Sequence, residues 1–210
     1  MDNNNIIITI NREFGTGGRE IAHKLGNILG IKVYDKGLLD SIAEHFNTST
    51  EEIEKVNNGN QSWWEEFANN YRWSFGSNRA VNQHVTSKKI YLAEEKILKE
   101  IAAKESCVIV GRGGFHIFKD NPNAVKILLV ADLDARVKRL CDSMDLSATE
   151  ARKMIKDIDD RRERYTKKYT GVSRYDAHNY DFVLNVTNLP AHLVAVFLAQ
   201  NVRMKLQKMV

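Results

Sequence analysis

The stretch IIITINREFGTGGRE, residues 6–20, decides the fold. It opens with a short, continuous and β-branched apolar run, Ile6–Ile10, which is typical of a buried strand. A glycine-rich turn follows, and from Gly18 onward apolar residues recur at helical spacing. In a strand, turn and helix of this kind, backbone N–H groups converge on one anion and the helix N-terminus adds partial positive charge. The stretch predicts a phosphate-binding loop, with a tight turn between strand and helix as the alternative.

The turn departs from the P-loop pattern G-x-x-x-x-G-K-[ST] at three positions. Gly17 matches the second glycine, but Arg12 replaces the first. Gly18 stands at the lysine, and Arg19 stands at the Mg²⁺-binding hydroxyl. Because a guanidinium group binds phosphate through parallel hydrogen bonds, Arg19 or Arg12 can supply the missing cation. Thr16 offers a hydroxyl in a different register.

The composition fits one globular domain. A chain of 210 residues has the usual size of a single domain, and 43% hydrophobic with 28% charged residues allow a buried core. Ile6–Ile10 is too short to span a membrane and the N-terminus lacks a signal-peptide layout, so we expect a cytoplasmic protein. Cys107 and Cys141, each among apolar neighbours, are expected to be buried thiols.

The surplus of positive charge is confined to one segment. The formal net charge is +4, and residues 151–170 alone hold eight Lys or Arg against four acids. A surplus this local favours a binding element for a compact anion over a nucleic-acid surface, which spreads its basic residues more widely.

Hydrophobic patterning predicts strands that alternate with helices. The five predicted strands are Ile6–Ile10, Ile31–Tyr34, Cys107–Val110, Val125–Val130 and Phe182–Val186. Three helices are predicted over Leu38–Phe46, Ile90–Ile101 and Leu133–Leu140. Four more are predicted to begin at Gly18, at the Ser49–Glu52 capping box, at the Ser147–Glu150 capping box and at Pro190. The alternation predicts an α/β fold with a five-stranded parallel sheet and helices on both faces. Residues 57–79, with six aromatic side chains, are interpreted as an insertion over a cleft or as a hydrophobic sub-core.

Five motifs, in order along nearly the whole chain, resemble those of the cytidylate kinase-like family. They are residues 8–22, Tyr34–Gly37, Val108–Gly113, Asp159–Arg162 with Tyr165, and Asn179–Asp181 with Leu184–Asn185. True cytidylate kinases carry a P-loop lysine, an aspartate after the Gly-Arg pair and an arginine shortly after the Asp-x-Gly motif. The corresponding residues here are Gly18, Gly113 and Ser41.

The resemblance implies a single P-loop NTPase domain over residues 1–210, with a helical acceptor-binding insertion at 37–85 and a lid at 145–175. It implies transfer of the ATP γ-phosphoryl group to CMP, with Mg²⁺ carried on ATP. The acceptor phosphate is already an anion, so the reaction needs no general base; it needs two polyanions brought together and their charge neutralised. We expect ATP to bind at Arg12, Gly15, Thr16, Gly17, Gly18 and Arg19.

Three residues at strand ends, Asp35, Gly111 and Arg112, are candidates for binding the acceptor. Arg112 lies just past a buried strand, and the flanking Gly111 and Gly113 open space for a ligand; an exposed turn arginine is the alternative. Asp35 ends the second strand, where an acceptor base or ribose can lie; a helix cap is its alternative.

The lid offers three arginines for phosphate contacts, Arg161, Arg162 and Arg164. We expect Arg161 and Arg162, together with Arg19, to be catalytic. The alternative is ordinary helix salt bridges, because Asp157–Arg161 and Asp160–Arg164 have i, i+4 spacing. Adjacent Arg161 and Arg162 cannot both face one way, so at least one lid arginine is expected to reach phosphate. Arg136 and Arg139 follow the fourth strand and have a solvated helix face as their simplest interpretation.

The function expected first is an ATP-dependent nucleoside monophosphate kinase that prefers CMP. We expect a monomer or homodimer without nucleic-acid or membrane partners. A P-loop module that binds nucleotide with little turnover is the second hypothesis, favoured by the missing lysine and hydroxyl. A kinase of another small acceptor is the third. No metal site made by side chains alone is expected, because the six histidines show no ligand spacing.

Overall fold

The computed structural model describes residues 5–35 and residues 87–207. The first stretch holds β1 (Ile7–Arg12), α1 (Gly18–Leu29) and β2 (Lys32–Tyr34). The second holds α2 (Ser87–Lys104), β3 (Cys107–Val110), α3 (Gly114–Ile117), β4 (Ala124–Val130), α4 (Leu133–Met144), α5 (Ala148–Thr170), a 3₁₀ turn (Ala177–Asn179), β5 (Phe182–Asn185) and α6 (Ala191–Gln207).

The strands form one sheet in the order β2-β3-β1-β4-β5, and all four pairings are parallel. At the centre, Ile10 of β1 lies beside Val110 of β3 and Ile127 of β4. Parallel strands end at the same edge, so the segments that follow β1, β3 and β4 meet there. The predicted five-stranded parallel sheet is confirmed for the part of the chain that the structure describes.

Alternate residues of the strands enter two separate cores. Ile8 and Ile10 belong to the core that α1 and α6 cover, whereas Ile7 and Ile109 belong to the core that α2 covers. Successive side chains of a strand point to opposite faces, so each face needs its own helices. The prediction of helices on both faces is therefore confirmed.

Strand boundaries differ from the predicted ones by one or two residues. β1 continues to Arg12 because Asn11 and Arg12 still pair with β4 residues Leu128 and Leu129. The predicted helix over Leu38–Phe46, the capping box at Ser49–Glu52 and the aromatic stretch 57–79 lie outside the described residues. The Ser147–Glu150 capping box is present at the start of α5, with the Ser147 Oγ accepting from the Glu150 N–H at 3.3 Å.

Candidate phosphoryl-transfer site

The loop between β1 and α1, residues 13–17, turns on two glycines with left-handed backbones. The φ angle is +85° at Gly15 and +75° at Gly17, a region that residues with a side chain rarely adopt. A Cβ at Gly15 would lie 3.1 Å from the Arg136 Cβ, and a Cβ at Gly17 would lie 2.9 Å from the Arg139 Nη1. Helix α4 therefore packs directly on the loop. Glycine is needed at both positions for conformation, and at Gly15 also for space, because the backbone of Arg136 lies against it.

Two carboxylates fix the backbone around this loop. Asp159 of α5 accepts a hydrogen bond from the Phe14 backbone N–H at 2.9 Å. Glu13 accepts one from the Ala131 N–H, just beyond β4, at 3.0 Å. The Thr16 hydroxyl is buried and donates to the Glu13 carbonyl oxygen at 2.9 Å, so it stabilises the turn itself. The loop is thus tied to the sheet on one side and to helix α5 on the other.

Arg12, the last residue of β1, places a cation beside the glycines. A Cβ at Gly18 would lie 2.9 Å from the Arg12 Cγ, and a Cβ at Gly111 would collide with the Arg12 Nη1. Burial, followed by the charges of Arg174 and Arg112, lowers the pKa of Arg12 to about 10, so its guanidinium stays charged at neutral pH. Gly18, at the P-loop lysine position, therefore leaves room for the side chain of Arg12.

Arg19 lies at the surface and pairs with the carboxylate at the end of β2. Its Nε donates to the Asp35 Oδ2 at 2.5 Å, and the His23 Nε2 lies 3.1 Å from the same oxygen. The Arg19 side chain is 69% exposed, whereas that of Asp35 is 6% exposed. Of the two arginines that the sequence offers in place of the lysine, Arg12 is the partly buried one and lies next to the loop.

Arg12, Arg162 of α5 and Arg174, which follows α5, form an arginine cluster around one carboxylate. The Nη1 atoms of Arg162 and Arg174 each lie 3.8 Å from the Asp159 Oδ1. Arg174 also donates through Nη2 to the Arg12 carbonyl oxygen at 2.5 Å. Burial, followed by the charges of Arg12 and Arg174, lowers the pKa of Arg162 to about 9.

The arginine cluster contains more positive than negative charge. Asp159 also accepts a 2.8 Å hydrogen bond from Arg136, so one carboxylate serves three guanidinium groups. In residues 5–35 and 87–207, the Nη1 atoms of Arg162 and Arg174 are buried without a hydrogen-bond partner. Burying N–H groups of charged side chains without acceptors is costly. A phosphate oxygen would satisfy them, so the cluster is suited to a polyanion.

The three lid arginines point in different directions. Arg162 belongs to the arginine cluster, with its guanidinium 5.5 Å from the centre of the Phe14 ring. The Arg161 Nε donates to the Asp157 carbonyl oxygen of its own helix at 3.0 Å, and Arg164 is exposed. The helical phase of α5 therefore brings one of the three to the loop. Arg136, by contrast, is buried and does not lie on a solvated helix face.

Arg112 occupies the turn between β3 and α3. Its φ angle is +59°, between +81° at Gly111 and +67° at Gly113. Its Nη1 donates to the Glu94 Oε1 of α2 at 2.7 Å, and its side chain is only 10% exposed. Because Gly111 also borders the Arg12 guanidinium, this turn and the glycine-rich loop meet across Arg12.

A cavity of about 360 Å³ opens between α4 and α5, next to Arg136 and Asp159. Its volume is in the range of small-molecule sites. Two of the basic side chains that line it already have acidic partners, since Arg152 pairs with Asp134 at 2.6 Å and Lys156 pairs with Asp160 at 2.9 Å. The arginine cluster is therefore the better place for phosphate.

The loop differs from a standard P-loop in what it offers to magnesium. Arg19 stands where the hydroxyl ligand would be, and the Thr16 hydroxyl is engaged with the Glu13 carbonyl oxygen. Within the two described stretches, no three His, Cys, Asp or Glu side chains are grouped to hold a metal ion. No helix in these stretches is long and apolar enough to cross a membrane.

The sequence patterns do not point to Arg174, which is only 1% exposed. Besides Arg12, it donates to the Asn11 Oδ1 at 3.0 Å, and its own carbonyl oxygen accepts from the Tyr180 hydroxyl at 2.7 Å. Both contacts lie in the motifs quoted for the family resemblance, residues 8–22 and Asn179–Asp181. These polar residues in otherwise apolar surroundings are the signal that could have led to Arg174.

Comparisons with known proteins bear on the family and the fold. A model of the cytidylate kinase-like family matches residues 7–188. Among solved structures, the chain is similar to an uncharacterised protein from Eubacterium ventriosum, with 26% identity, a TM-score of 0.71 and coverage of 95% of this chain and 98% of that one. It shares its fold with a shikimate kinase from Bacteroides thetaiotaomicron, at 17% identity, a TM-score of 0.51 and coverage of 96% and 98%.

A shikimate kinase from Acinetobacter baumannii, in complex with shikimate, is similar at 13% identity, a TM-score of 0.51 and coverage of 96% and 95%. The search among curated proteins found no match. The family match covers well over half of the chain, and the parallel sheet with its loop after β1 is the fold of the P-loop kinases. The chain belongs to the cytidylate kinase-like family.

Proposed function

We propose that the protein is an ATP-dependent phosphotransferase that moves the γ-phosphoryl group of Mg-ATP to a nucleoside monophosphate, with CMP as the preferred acceptor. The arginine cluster carries the proposal, because two of its buried N–H groups lack an acceptor that a phosphate would provide. Membership of the cytidylate kinase-like family supports the reaction type, and CMP is the acceptor that the motif resemblance implies. The substrates are metabolites of the cytoplasm, where we place the activity.

Each group in the site has a role in such a transfer. The backbone N–H groups of residues 15–18 and the N-terminus of α1 would hold the ATP phosphates. Arg12 would take the place of the P-loop lysine, and Arg162 would stabilise the migrating phosphoryl group from the lid side. Arg112 would bind the acceptor phosphate. Asp35, with its carboxylate held by Arg19, would lie near the acceptor base or ribose.

A panel of acceptors tests the reaction. ADP release from Mg-ATP should be fastest with CMP when UMP, AMP, GMP and shikimate, the ligand of one structural neighbour, are compared at equal concentration. A faster reaction with another acceptor would overturn the choice of CMP and keep the phosphotransferase. No release above the blank with any of them would overturn the proposed reaction.

A nucleotide-binding module with little turnover is the second candidate. Two observations favour it, the absence of a lysine at Gly18 and the hydrogen bond that engages the Thr16 hydroxyl. This candidate requires that calorimetry detect ATP binding while ADP release stays at the blank for every acceptor.

Variants of the two loop arginines identify the cation that acts on phosphate. Arg12→Met should lower kcat/KM ten- to hundredfold, since a charge-assisted hydrogen bond is worth about 1.5–3 kcal/mol. Arg19→Met should have a smaller effect, because Arg19 is exposed and already paired with Asp35. Arg203→Met, an exposed arginine of α6, is the matched control and should match the wild type. A larger loss for Arg19→Met than for Arg12→Met would contradict the assignment to Arg12.

A further inference from the structure

Glu94 of α2 makes two contacts that join separate parts of the site. Its side chain is 6% exposed. The Oε1 atom accepts from the Arg112 Nη1 at 2.7 Å, and the Oε2 atom accepts from the Tyr165 hydroxyl of α5 at 3.0 Å. One buried carboxylate therefore holds the turn after β3 with one oxygen and the lid helix with the other.

The backbone of Arg112 supports a functional role for this contact. A left-handed conformation costs a residue with a Cβ about 1–2 kcal/mol, and here Arg112 adopts it between two left-handed glycines. Strain of this kind persists only where the surrounding contacts enforce it, and it is found preferentially at ligand sites. The ion pair with Glu94 is a contact that can offset the strain.

A neighbouring residue on the same helix reinforces the connection. The Tyr91 ring stacks on the Tyr169 ring of α5, with centroids 5.5 Å apart and planes 14° apart. Tyr165 packs against Tyr169 at 4.7 Å. The Tyr91 ring also borders the turn, since a Cβ at Gly113 would lie 3.6 Å from it. Residues 91 and 94, neighbours on one face of α2, thus touch both the turn and the lid.

We propose that Glu94 is a positioning residue of the acceptor site: it orients Arg112 toward the acceptor phosphate and couples that orientation to the lid through Tyr165. The proposal rests on the proposed function, in which Arg112 binds the acceptor. A guanidinium group has five donors in a rigid fork, so an ion pair at Nη1 sets the direction of the others. An incoming phosphate dianion would be a further partner for the same guanidinium and would change its ion pair with Glu94, the carboxylate that also holds Tyr165.

Two variants separate positioning from mere stabilisation. Glu94→Gln keeps the shape and removes the charge, and it should raise the KM for CMP at least tenfold while the KM for ATP changes less than twofold. Tyr165→Phe removes only the lid contact and should raise the KM for CMP by a smaller factor. An equal rise in both KM values, or an unchanged KM for CMP in folded Glu94→Gln, would overturn the proposal.

Hydrogen exchange without any nucleotide gives a second readout that does not depend on turnover. Glu94→Gln should speed exchange in residues 111–116 and in residues 163–170 together, whereas Tyr165→Phe should speed it only in the second segment. If the wild type transfers no phosphoryl group, the proposed function fails while this coupling can still be measured. If hydrogen exchange in residues 111–116 is unchanged in Glu94→Gln, the proposed coupling is wrong. If Glu94→Gln does not fold, Tyr165→Phe still decides, because unchanged exchange in its lid segment would overturn the link.

Discussion

At positions 12 and 18, the cation and the glycine of the P-loop pattern are exchanged. The P-loop pattern has its first glycine where this chain has Arg12, and it has its lysine where this chain has Gly18. The two are in contact, because a Cβ at Gly18 would lie 2.9 Å from the Arg12 Cγ. The loop therefore has room for one long cationic side chain at this place. In this chain position 12 supplies that side chain, and position 18 does not.

This exchange predicts the outcome of restoring the usual residues. Gly18→Lys alone should lower the free energy of unfolding by about 1–3 kcal/mol, because an added side chain would overpack against Arg12. Combining it with Arg12→Gly should recover part of that loss, since the obstructing side chain is then absent. Urea denaturation of the two single variants and the double variant measures the effect. A double variant no more stable than Gly18→Lys would show that the two positions do not share space.

Helix α5 is attached to the rest of the molecule along most of its length. Its N-terminus carries the capping box, its middle ties to the loop through Asp159, and its last turns pack on α2 through Tyr165 and Tyr169. The attachment differs in kind along the helix. Apolar burial of Ala151 and Ile155 holds the first half, whereas the second half depends on polar and aromatic contacts.

We predict that only the C-terminal part of the expected lid, residues 145–175, becomes ordered when both nucleotides bind. Residues 151–160 should be protected from hydrogen exchange even without ligand, since their apolar contacts do not involve substrate. Residues 161–170 should gain protection when a bisubstrate dinucleotide binds between the loop and the turn. Equal protection of residues 161–170 with and without the dinucleotide would contradict a lid function.

At the scale of the whole molecule, His116 of α3 should link stability to pH. Burial, followed by the charge of Lys119, lowers the pKa of His116 below its ordinary value of 6.5. The unfolded chain therefore binds more protons than the folded one just below pH 6.5, so the free energy of unfolding should fall as the pH drops through that value. Carboxylates with lowered pKa values, such as Glu163, change the free energy of unfolding only below about pH 4.5.

Urea denaturation at pH 7.5 and pH 5.5 checks this linkage. His116→Asn should reduce the loss of stability between the two pH values, whereas His192→Gln, on an exposed part of α6, should leave it as in the wild type. An identical loss in wild type and His116→Asn would assign the pH dependence to other groups.

The fold could be predicted from the sequence because its buried strands are short, continuous apolar runs, and their alternation with helices leaves few arrangements. The site could be predicted only in outline. Arg162, unlike Arg161, lies seven residues after the buried Ile155 and four after Ile158, so the helical spacing of α5 could have selected it. What that face of α5 meets depends on how the helix docks on the loop, and the sequence does not give it. Arg174 was missed because its partner Asn11 lies 163 residues away in sequence. A contact across that distance leaves no periodic signal.

The position of β1 at the centre of the sheet has a consequence for synthesis on the ribosome. The strand is made before its partners, because Ile7 pairs with Cys107 and Ala124. The acceptor of the Ile6 N–H, the Ser106 hydroxyl, is made 100 residues later. At about 5–20 residues per second, the strand is without its partners for roughly 5–20 s. A β-branched apolar segment with unpaired N–H and C=O groups is prone to join other chains during that time. The central strand of the finished sheet is therefore a part of the nascent chain that a chaperone would protect.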